Sequence, residues 1–194
     1  MQRLTHTQLA QLVKSAQAGD ESAFAALYAA TVDSQMYFAN TILQDPYLAE
    51  DAVQMTYTSF YTSLSQLKTP RLLVAYLNRI CYNTCMDILK KTGRYQKELG
   101  EGKIDLSIDG TLDHNPEQCY LAREQNDEII KALSALPEQR KAMFLMRYYH
   151  EMKIKEIAIA LDISQSTVKR GLKDSLAKLK PVLIERQRRT THDQ

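Results

Sequence analysis

The most informative segment of this chain is residues 154–179, which read IKEIAIALDISQSTVKRGLKDSLAKL. A first short helix has one apolar face, formed by Ile157, Ala158 and Leu161. The turn that follows, from Asp162, ends at Ser164, whose hydroxyl suits a helix N-cap. A second helix carries apolar residues at helical spacing, namely Val168, Leu172, Leu176 and Leu179. The pattern predicts a helix-turn-helix, whose second helix can enter the major groove of DNA.

Charge is distributed unevenly along the 194 residues, although the net charge is only +2. Residues 1–91 are balanced, residues 92–122 carry an acidic excess, and residues 123–194 contain fifteen basic against ten acidic side chains. The basic excess therefore coincides with the predicted helix-turn-helix, as expected for a part that meets phosphates. Because this excess is modest, we expect weak DNA binding by the isolated chain.

The composition argues against several other classes of protein. Hydrophobic residues make up 44% of the chain, but no apolar run approaches a membrane span and the N-terminus lacks a signal-peptide core. We therefore expect a cytoplasmic protein without membrane insertion. Cys81, Cys85 and Cys119 are expected to be packing residues rather than a disulfide or metal site. No nucleophile–base pair, phosphate-binding glycine loop or metal-ligand cluster is evident, so no catalytic, cofactor-binding or metal-binding residue is expected.

Helix signals organise the first part of the chain. Thr5 or Thr7 opens a first helix, and Asp20 caps a second that is predicted to break or bend between Thr31 and Ser34. Asp45-Pro46 is an N-cap with proline at the first helical position, and it opens a third helix. That helix is expected to reach about Leu64. After an interruption at Lys68, Thr69 and Pro70, a further helix is predicted over residues 72–91.

The next segment has a different composition. Residues 92–115 hold four of the six glycines and many acidic residues, which predicts a flexible acidic linker. Helix resumes at Asn115-Pro116, and Leu136-Pro137 separates two helices beyond it. The sequence therefore predicts an all-α protein with two small helical domains. From the N-terminus, the parts are a first domain (1–91), the linker (92–115), a second domain (116–182) and a tail (183–194).

Two helices of the first domain present polar faces opposite their predicted cores. On the helix from Pro46, the core spacing is held by Val53, Tyr57, Phe60 and Leu64. The opposite face holds Asp51, Met55, Thr58 and Thr62, with Gln54 at its edge. On the helix from Leu72, the predicted buried stripe is Leu73, Leu77, Ile80, Thr84 and Ile88. A separate arc of this helix holds Tyr76, Arg79, Asn83 and Lys90.

The side chains on that separate arc suit single-stranded DNA. An aromatic ring can stack on a base, an amide can read a base edge, and two cations can hold phosphates. On the second helix of the helix-turn-helix, Ser166, Lys169, Arg170 and Lys173 face away from the apolar stripe. Gln165 and Thr167, near the start of that helix, suit a phosphate or a base edge.

Four segments together resemble a bacterial RNA polymerase sigma factor of the extracytoplasmic-function (ECF) subfamily, within the sigma-70 family. They are GDESAFAALY (19–28), AEDAVQMTY (49–57), AYLNRICYNTCMDILKK (75–91) and LPEQRKAMFLMRYYHEMKIKEIAIALDISQSTVKRGL (136–172). Their order and spacing are specific to this family. The resemblance implies sigma regions 2 and 4, no enzymatic activity, and core RNA polymerase and promoter DNA as partners. An inhibitory anti-sigma factor is a further partner known in the family, and no residue of this chain identifies one.

The resemblance assigns contacts to three surfaces. Polymerase binding is expected at Asp51, Gln54, Met55 and Thr58. Binding and melting of the −10 promoter element are expected at Lys68, Arg71, Tyr76, Arg79, Asn83 and Lys90, with the loop Ser65–Arg71 capturing an unstacked base. Recognition of the −35 element is expected at Gln165, Ser166, Thr167, Lys169, Arg170 and Lys173. The linker is implied to pass through the polymerase near its active-site cleft; a passive flexible tether is the alternative that its composition leaves open.

Five positions depart from the family pattern. Met55 replaces an acidic residue and Tyr76 replaces the usual tryptophan, whose larger ring would stack more strongly. Asp162 replaces the glycine of the turn, Gly171 stands where arginine is common, and Asp174 adds a negative charge near DNA. We therefore expect an unusual −35 sequence or weak dependence on that element.

Two other functions remain open at this point. A free-standing helix-turn-helix regulator would bind its DNA site without polymerase and would need a dimer or a ligand domain. A polymerase-binding adaptor without promoter recognition would bind polymerase but direct no specific starts; Gly171 and Asp174 give this alternative some support.

Overall fold

The computed structural model describes residues 4–93 and 132–192, with side chains described as far as residue 181. Within these ranges every regular element is helical. The first half consists of α1 (His6–Gln17), α2 (Glu21–Leu43), α3 (Pro46–Ser63), two short 3-10 turns (Leu64–Gln66 and Pro70–Leu72) and α4 (Leu73–Lys91). The second half consists of α5 (Glu138–Tyr148), α6 (Ile154–Leu161) and α7 (Gln165–His192). The predicted linker beyond Gly93 and the helix start at Asn115-Pro116 lie outside the described residues.

The helix starts follow the local signals in the sequence. Thr5 forms a capping box with Gln8, in which Gln8 N donates to Thr5 Oγ1 and Thr5 N donates to Gln8 Oε1. Asp20 and Asp45 cap α2 and α3 by accepting backbone hydrogen bonds of 2.9–3.2 Å. Hydrogen bonds from the Ser22 hydroxyl and from the backbone N–H groups of Ala23 and Ser22 hold the pKa of Asp20 below its ordinary value. The predicted N-caps of the first three helices are therefore confirmed, with Thr5 opening the first.

The predicted break in α2 is wrong, because the helix is continuous from Glu21 to Leu43. Thr31 lies inside the bundle, where its Oγ1 donates to Leu27 O at 2.7 Å and lies 2.7 Å from the phenolic oxygen of Tyr57. Its hydroxyl therefore has partners without leaving the helix. Burial raises the pKa of Tyr57, so the phenol remains protonated in this contact. Tertiary packing outweighs the local tendency of this polar stretch to interrupt the helix.

The core of the first half lies between α2, α3 and α4. The core residues predicted for the third helix are all buried: Val53, Tyr57 and Phe60 on α3, and Leu64 at the start of the 3-10 turn that follows it. On α4, Leu73 and Leu77 are buried as predicted, but the rest of the predicted stripe, Ile80, Thr84 and Ile88, is only half-buried. Other residues are covered instead, namely Asn78, Cys81, Tyr82, Cys85 and Met86. The buried band is shifted because α4 packs against α3 on one side and against α2 and α6 on another.

The two cysteines on α4 behave as packing residues. Cys81 and Cys85 are free thiols, both fully buried. A hydrogen bond with Cys81 and burial raise the pKa of the Cys85 thiol, so this group stays protonated and poorly reactive near neutral pH. The packing role predicted for these two residues is confirmed, while Cys119 lies outside the described residues.

The two halves of the molecule pack against each other. α5 lies against α2, and α6 lies against α4, so that one hydrophobic core runs through both halves. Within this contact the ring centroids of Tyr37 and Tyr149 are 4.6 Å apart, and those of Phe38 and His150 are 5.6 Å apart. Aromatic pairs at such distances contribute beyond the apolar area that they bury.

A buried amide lies at the centre of the contact between the halves. Asn78 on α4 is fully buried and accepts a hydrogen bond from Gln35 Nε2 on α2 at 3.0 Å. Its Nδ2 lies 2.8 Å from His150 Nδ1 and 3.2 Å from Met152 Sδ in the second half. Because a buried amide without partners is costly, this network favours one register of the two halves over others.

Candidate nucleic-acid interface

The outer face of α3 is defined here as Asp51, Gln54, Met55 and Thr58, and all four residues are exposed. The helix turns this face outward because Ala52, Val53, Thr56 and Tyr57 are directed into the bundle. Two tyrosines that were not predicted extend the same face, Tyr47 at 79% and Tyr61 at 58% exposure. Their spacing of one helical turn from Asp51 and Thr58 is the signal that would have identified them. Large exposed aromatic side chains are common anchors in protein–protein interfaces.

The α4 strip is defined as Tyr76, Arg79, Asn83 and Lys90. Arg79, Asn83 and Lys90 are exposed, and Lys90 forms an exposed ion pair of 3.7 Å with Asp87. Tyr76 is half-buried, with its ring 6.2 Å from that of Phe60 and its hydroxyl 3.4 Å from Ser63 O as donor. The ring is therefore held in position from one side, which limits the surface it offers for stacking.

The loop that precedes α4 runs from Ser65 to Arg71. Lys68 and Arg71 are both exposed, while Leu67, which directly precedes Lys68, is buried at 5% exposure. Leu67 therefore attaches the loop to the bundle, and the two cations lie on its outer side. The loop leads directly into α4, so its two cations precede the α4 strip along the chain.

The helix-turn-helix forms as the sequence predicts. Asp162 ends α6 in the left-handed conformation (φ 53°, ψ 49°), so it occupies the position for which the pattern usually has glycine. Ser164 caps α7 by accepting a hydrogen bond from Thr167 N at 3.1 Å, and its oxygen lies 2.7–2.8 Å from the hydroxyls of Ser166 and Thr167. These hydroxyl contacts fix the start of the recognition helix, the part of α7 up to Leu179.

The recognition helix exposes most of its predicted DNA contacts. Gln165, Ser166, Lys169, Arg170 and Lys173 are exposed, and Thr167 is half-buried. α7 itself continues to His192, through most of the predicted tail.

The apolar stripe of the recognition helix differs from the prediction at one position. Val168, Leu172 and Leu179 are buried as expected, but Leu176 is 37% exposed. Ser175 is fully buried in its place, and its hydroxyl donates to Gly171 O at 2.8 Å. A serine that satisfies its hydroxyl within the helix can take a position in the core, which sequence spacing alone does not reveal.

The negative charge of Asp174 has a partner. Its carboxylate lies 3.5 Å from the guanidinium of Arg140 on α5, and both side chains are partly exposed. The ion pair offsets part of the repulsion that an unpaired carboxylate would exert on nearby phosphates.

Close packing of α7 against α5 explains why position 171 holds a glycine. A Cβ at this position would lie 2.6 Å from Met143 Sδ and 3.4 Å from its Cε. Although alanine favours a helix, we expect Gly171→Ala to lower the free energy of unfolding by about 1 kcal/mol, because the methionine must move. In a Met143→Ala background the same change is expected to stabilise by about 1 kcal/mol. Urea unfolding of the four chains measures both effects, and an equal effect in the two backgrounds would contradict the steric explanation.

Comparisons with known proteins agree with this architecture. Residues 126–179 match the family described as Sigma-70, region 4. The "RNA polymerase sigma-E factor" of Streptomyces avermitilis is 29% identical over 155 residues, which cover 79% of this chain and 81% of the relative. The "ECF RNA polymerase sigma factor SigW" of Bacillus subtilis is 26% identical over 165 residues, covering 81% and 87%.

Two further similarities differ in what they cover. The "Probable RNA polymerase sigma factor RfaY" of Xanthomonas campestris pv. campestris is 25% identical over 173 residues; these span 88% of this chain but only 43% of that relative. The solved structure of CnrH in complex with the cytosolic domain of CnrY has a TM-score of 0.66 at 20% identity, covering 92% of this chain and 98% of that chain. At this identity the structural similarity establishes the fold.

The fold and the exposed basic helix define a helix-turn-helix protein that acts on DNA in transcription. The chain belongs to the ECF group of sigma-70 family RNA polymerase sigma factors. Such a factor directs promoter-specific initiation of transcription and is a non-catalytic subunit of RNA polymerase.

The described part of the chain holds neither a membrane-spanning helix nor a cluster of metal-binding side chains. Among residues 4–93 and 132–192, no helix is both long enough and apolar enough to cross a membrane. Over the same ranges, no group of three or more His, Cys, Asp or Glu side chains is arranged to hold a metal ion.

Proposed function

We propose that this sigma factor uses three surfaces: the outer face of α3 for core RNA polymerase, the α4 strip with its preceding loop for the −10 element, and the recognition helix for the −35 element. One observation carries the proposal: none of the contact residues inferred from the sequence is buried. Tyr76 and Thr167 are half-buried and all the others are exposed. On this basis residues 1–91 act as region 2 and residues 116–182 act as region 4.

Promoter opening in this proposal needs no catalytic side chain. Extruding a base from the duplex costs a few kcal/mol, which contacts to the extruded base and the backbone can offset. Arg79 and Lys90 supply cations to phosphates, and Asn83 supplies an amide to a base edge. The loop from Ser65 to Arg71 receives the unstacked base, and the polymerase supplies the remaining contacts.

Binding both promoter elements requires the two halves to separate. The −35 and −10 elements are about 25 base pairs apart by their names, or about 85 Å along B-form DNA at 3.4 Å per base pair. Packed helices lie only about 8–10 Å apart, and here α6 packs directly on α4. The packed form therefore cannot meet both elements of a straight promoter at once. We infer that binding to polymerase is accompanied by separation of the halves.

The partners and the location follow from the same proposal. Core RNA polymerase and promoter DNA are the partners that it requires, and the cytoplasm is the location. CnrH, which shares the fold, was solved with the cytosolic domain of CnrY. A protein partner of that kind, acting as an inhibitory anti-sigma factor, is part of this proposal. The linker, residues 92–115, connects the two DNA-binding domains through the polymerase.

Run-off transcription with purified core polymerase tests the proposed function. We expect specific starts that appear only when this chain is added, together with little specific footprinting by the chain alone. A chain that footprints a specific site without polymerase would favour a free-standing regulator. A chain that binds polymerase but directs no specific start would favour an adaptor.

A further inference from the structure

The loop before α4 consists of consecutive tight turns. A 3-10 turn, Leu64–Gln66, is followed at once by an inverse γ-turn centred on Leu67 (φ −74°, ψ 82°). The γ-turn is closed by a hydrogen bond of 2.9 Å from Lys68 N to the carbonyl two residues earlier. A second 3-10 turn, Pro70–Leu72, then leads into α4. Lys68 follows the γ-turn and Arg71 lies within the second 3-10 turn, so these turns set the positions of the backbone atoms that carry the two cationic side chains.

The turns are held by a residue that is distant in the sequence. Gln17, the last residue of α1, donates from Nε2 to Leu64 O at 2.9 Å and to Leu67 O at 3.0 Å. A side-chain amide has two N–H donors, so this loop uses the full donor capacity of the group. The two acceptors are Leu64 O, at the start of the first 3-10 turn, and Leu67 O, at the centre of the γ-turn. One amide therefore fixes the relative position of both turns.

The inner side of the loop is fixed by a different kind of contact. The side chains of Leu64 and Leu67 are buried, at 6% and 5% exposure. Burial of these two side chains attaches the loop to the bundle, but it does not determine the direction of the backbone carbonyls. The Gln17 amide supplies this second constraint, because hydrogen bonds are directional and apolar burial is not.

We propose that Gln17 is a positioning residue for −10 recognition, acting through the loop and not through contact with DNA. This role rests on the proposed capture of an unstacked base by the loop. If a binding loop becomes ordered only when its ligand binds, the loss of conformational entropy lowers the affinity. Gln17 holds the loop in order beforehand, so that contacts made by Lys68 and Arg71 contribute fully to selecting the promoter.

Three variants of α1 test this role. Gln17→Met removes both donors while keeping the length of the side chain, and Gln17→Lys keeps N–H donors. Gln11→Met is the matched control, because Gln11 is an exposed glutamine on the same helix. The first measurement is amide hydrogen exchange of residues 65–71 in the full free chain. The second measurement is open-complex formation with core polymerase on a promoter and on the same promoter with substituted −10 bases.

Loss of the two hydrogen bonds has a defined expected result. For Gln17→Met, we expect loop exchange to be roughly thirtyfold faster and discrimination between the two promoters to fall roughly thirtyfold, since both hydrogen bonds are lost together. Gln17→Lys is expected to keep most of the discrimination, and Gln11→Met is expected to keep all of it. Polymerase affinity is expected to remain unchanged in all three variants.

The opposite results separate this role from its alternatives. Loop exchange at the wild-type rate in Gln17→Met, or an unchanged discrimination ratio, would overturn the positioning role. A purely structural role would lower the Tm and reduce opening of both promoters equally, and this too would overturn it. Failure of the proposed function is a distinct result, in which the wild-type chain itself opens no promoter and the positioning role is overturned together with it.

Discussion

Cross-linking the two halves in the contact seen here is expected to abolish promoter-dependent transcription reversibly. Tyr37 belongs to the first half and Tyr149 to the second, and their ring centroids are 4.6 Å apart. Tyr37→Cys and Tyr149→Cys therefore provide attachment points for a short cleavable cross-linker. A linked chain cannot span the distance of about 85 Å between the two promoter elements. We expect run-off transcript to fall at least about tenfold, and to recover after the cross-linker is cleaved.

The design needs two controls. The native thiols Cys81 and Cys85 are fully buried, and Cys119 is replaced by serine in every chain tested. Each single-cysteine variant, treated with the same reagent, reports the effect of modification without linkage. A linked chain that directs initiation as well as the unlinked chain would contradict the requirement for separation.

The composition of the contact favours reversible separation. Its centre is the hydrogen-bonded amide of Asn78, which joins Gln35 from the first half to His150 from the second. When the halves part, Asn78 and His150 can exchange their mutual contact for water, which offsets part of the cost of exposing the hydrophobic core that the halves share. The same network specifies the register in which the halves return.

Removing a side chain from the α4 strip is expected to reduce promoter opening more than promoter binding. Arg79 and Asn83 are exposed on the strip, and a charge-assisted hydrogen bond to a phosphate or a bidentate contact to a base edge contributes about 1–3 kcal/mol. We therefore expect Arg79→Ala and Asn83→Ala each to reduce open complexes by about tenfold or more. Permanganate reactivity of unpaired thymines measures open complexes, and gel shift at low temperature measures closed ones.

A matched control lies on the same helix. Lys91 is exposed on α4 but outside the strip, so Lys91→Ala removes a cation at a position that does not face the proposed single strand. We expect it to have little effect on opening. Equal loss of open and closed complexes in Arg79→Ala and Asn83→Ala would contradict the melting role and indicate a contribution to binding alone.

Local signals in the sequence determined where most helices begin and which faces they expose. Thr5, Asp20 and Asp45 cap helices because their side chains satisfy backbone N–H groups within three residues, an interaction that needs no other part of the chain. The helix-turn-helix is encoded in the same way, through Ser164 and the apolar spacing around it. The candidate contact residues follow from this, since a residue opposite a regular apolar stripe is exposed.

Tertiary structure decided the features that depend on residues distant in sequence. Thr31 remains within a continuous α2, where its hydroxyl lies against that of Tyr57 on α3. Ser175, and not Leu176, lies in the core because α7 packs against both α5 and α6. Periodicity gives one buried stripe for α4, whereas packing on two sides gives a broader one that includes the amide of Asn78. The double hydrogen bond of Gln17 joins positions 47 and 50 residues apart. Such contacts depend on how distant parts of the chain pack against each other, which no local sequence pattern specifies.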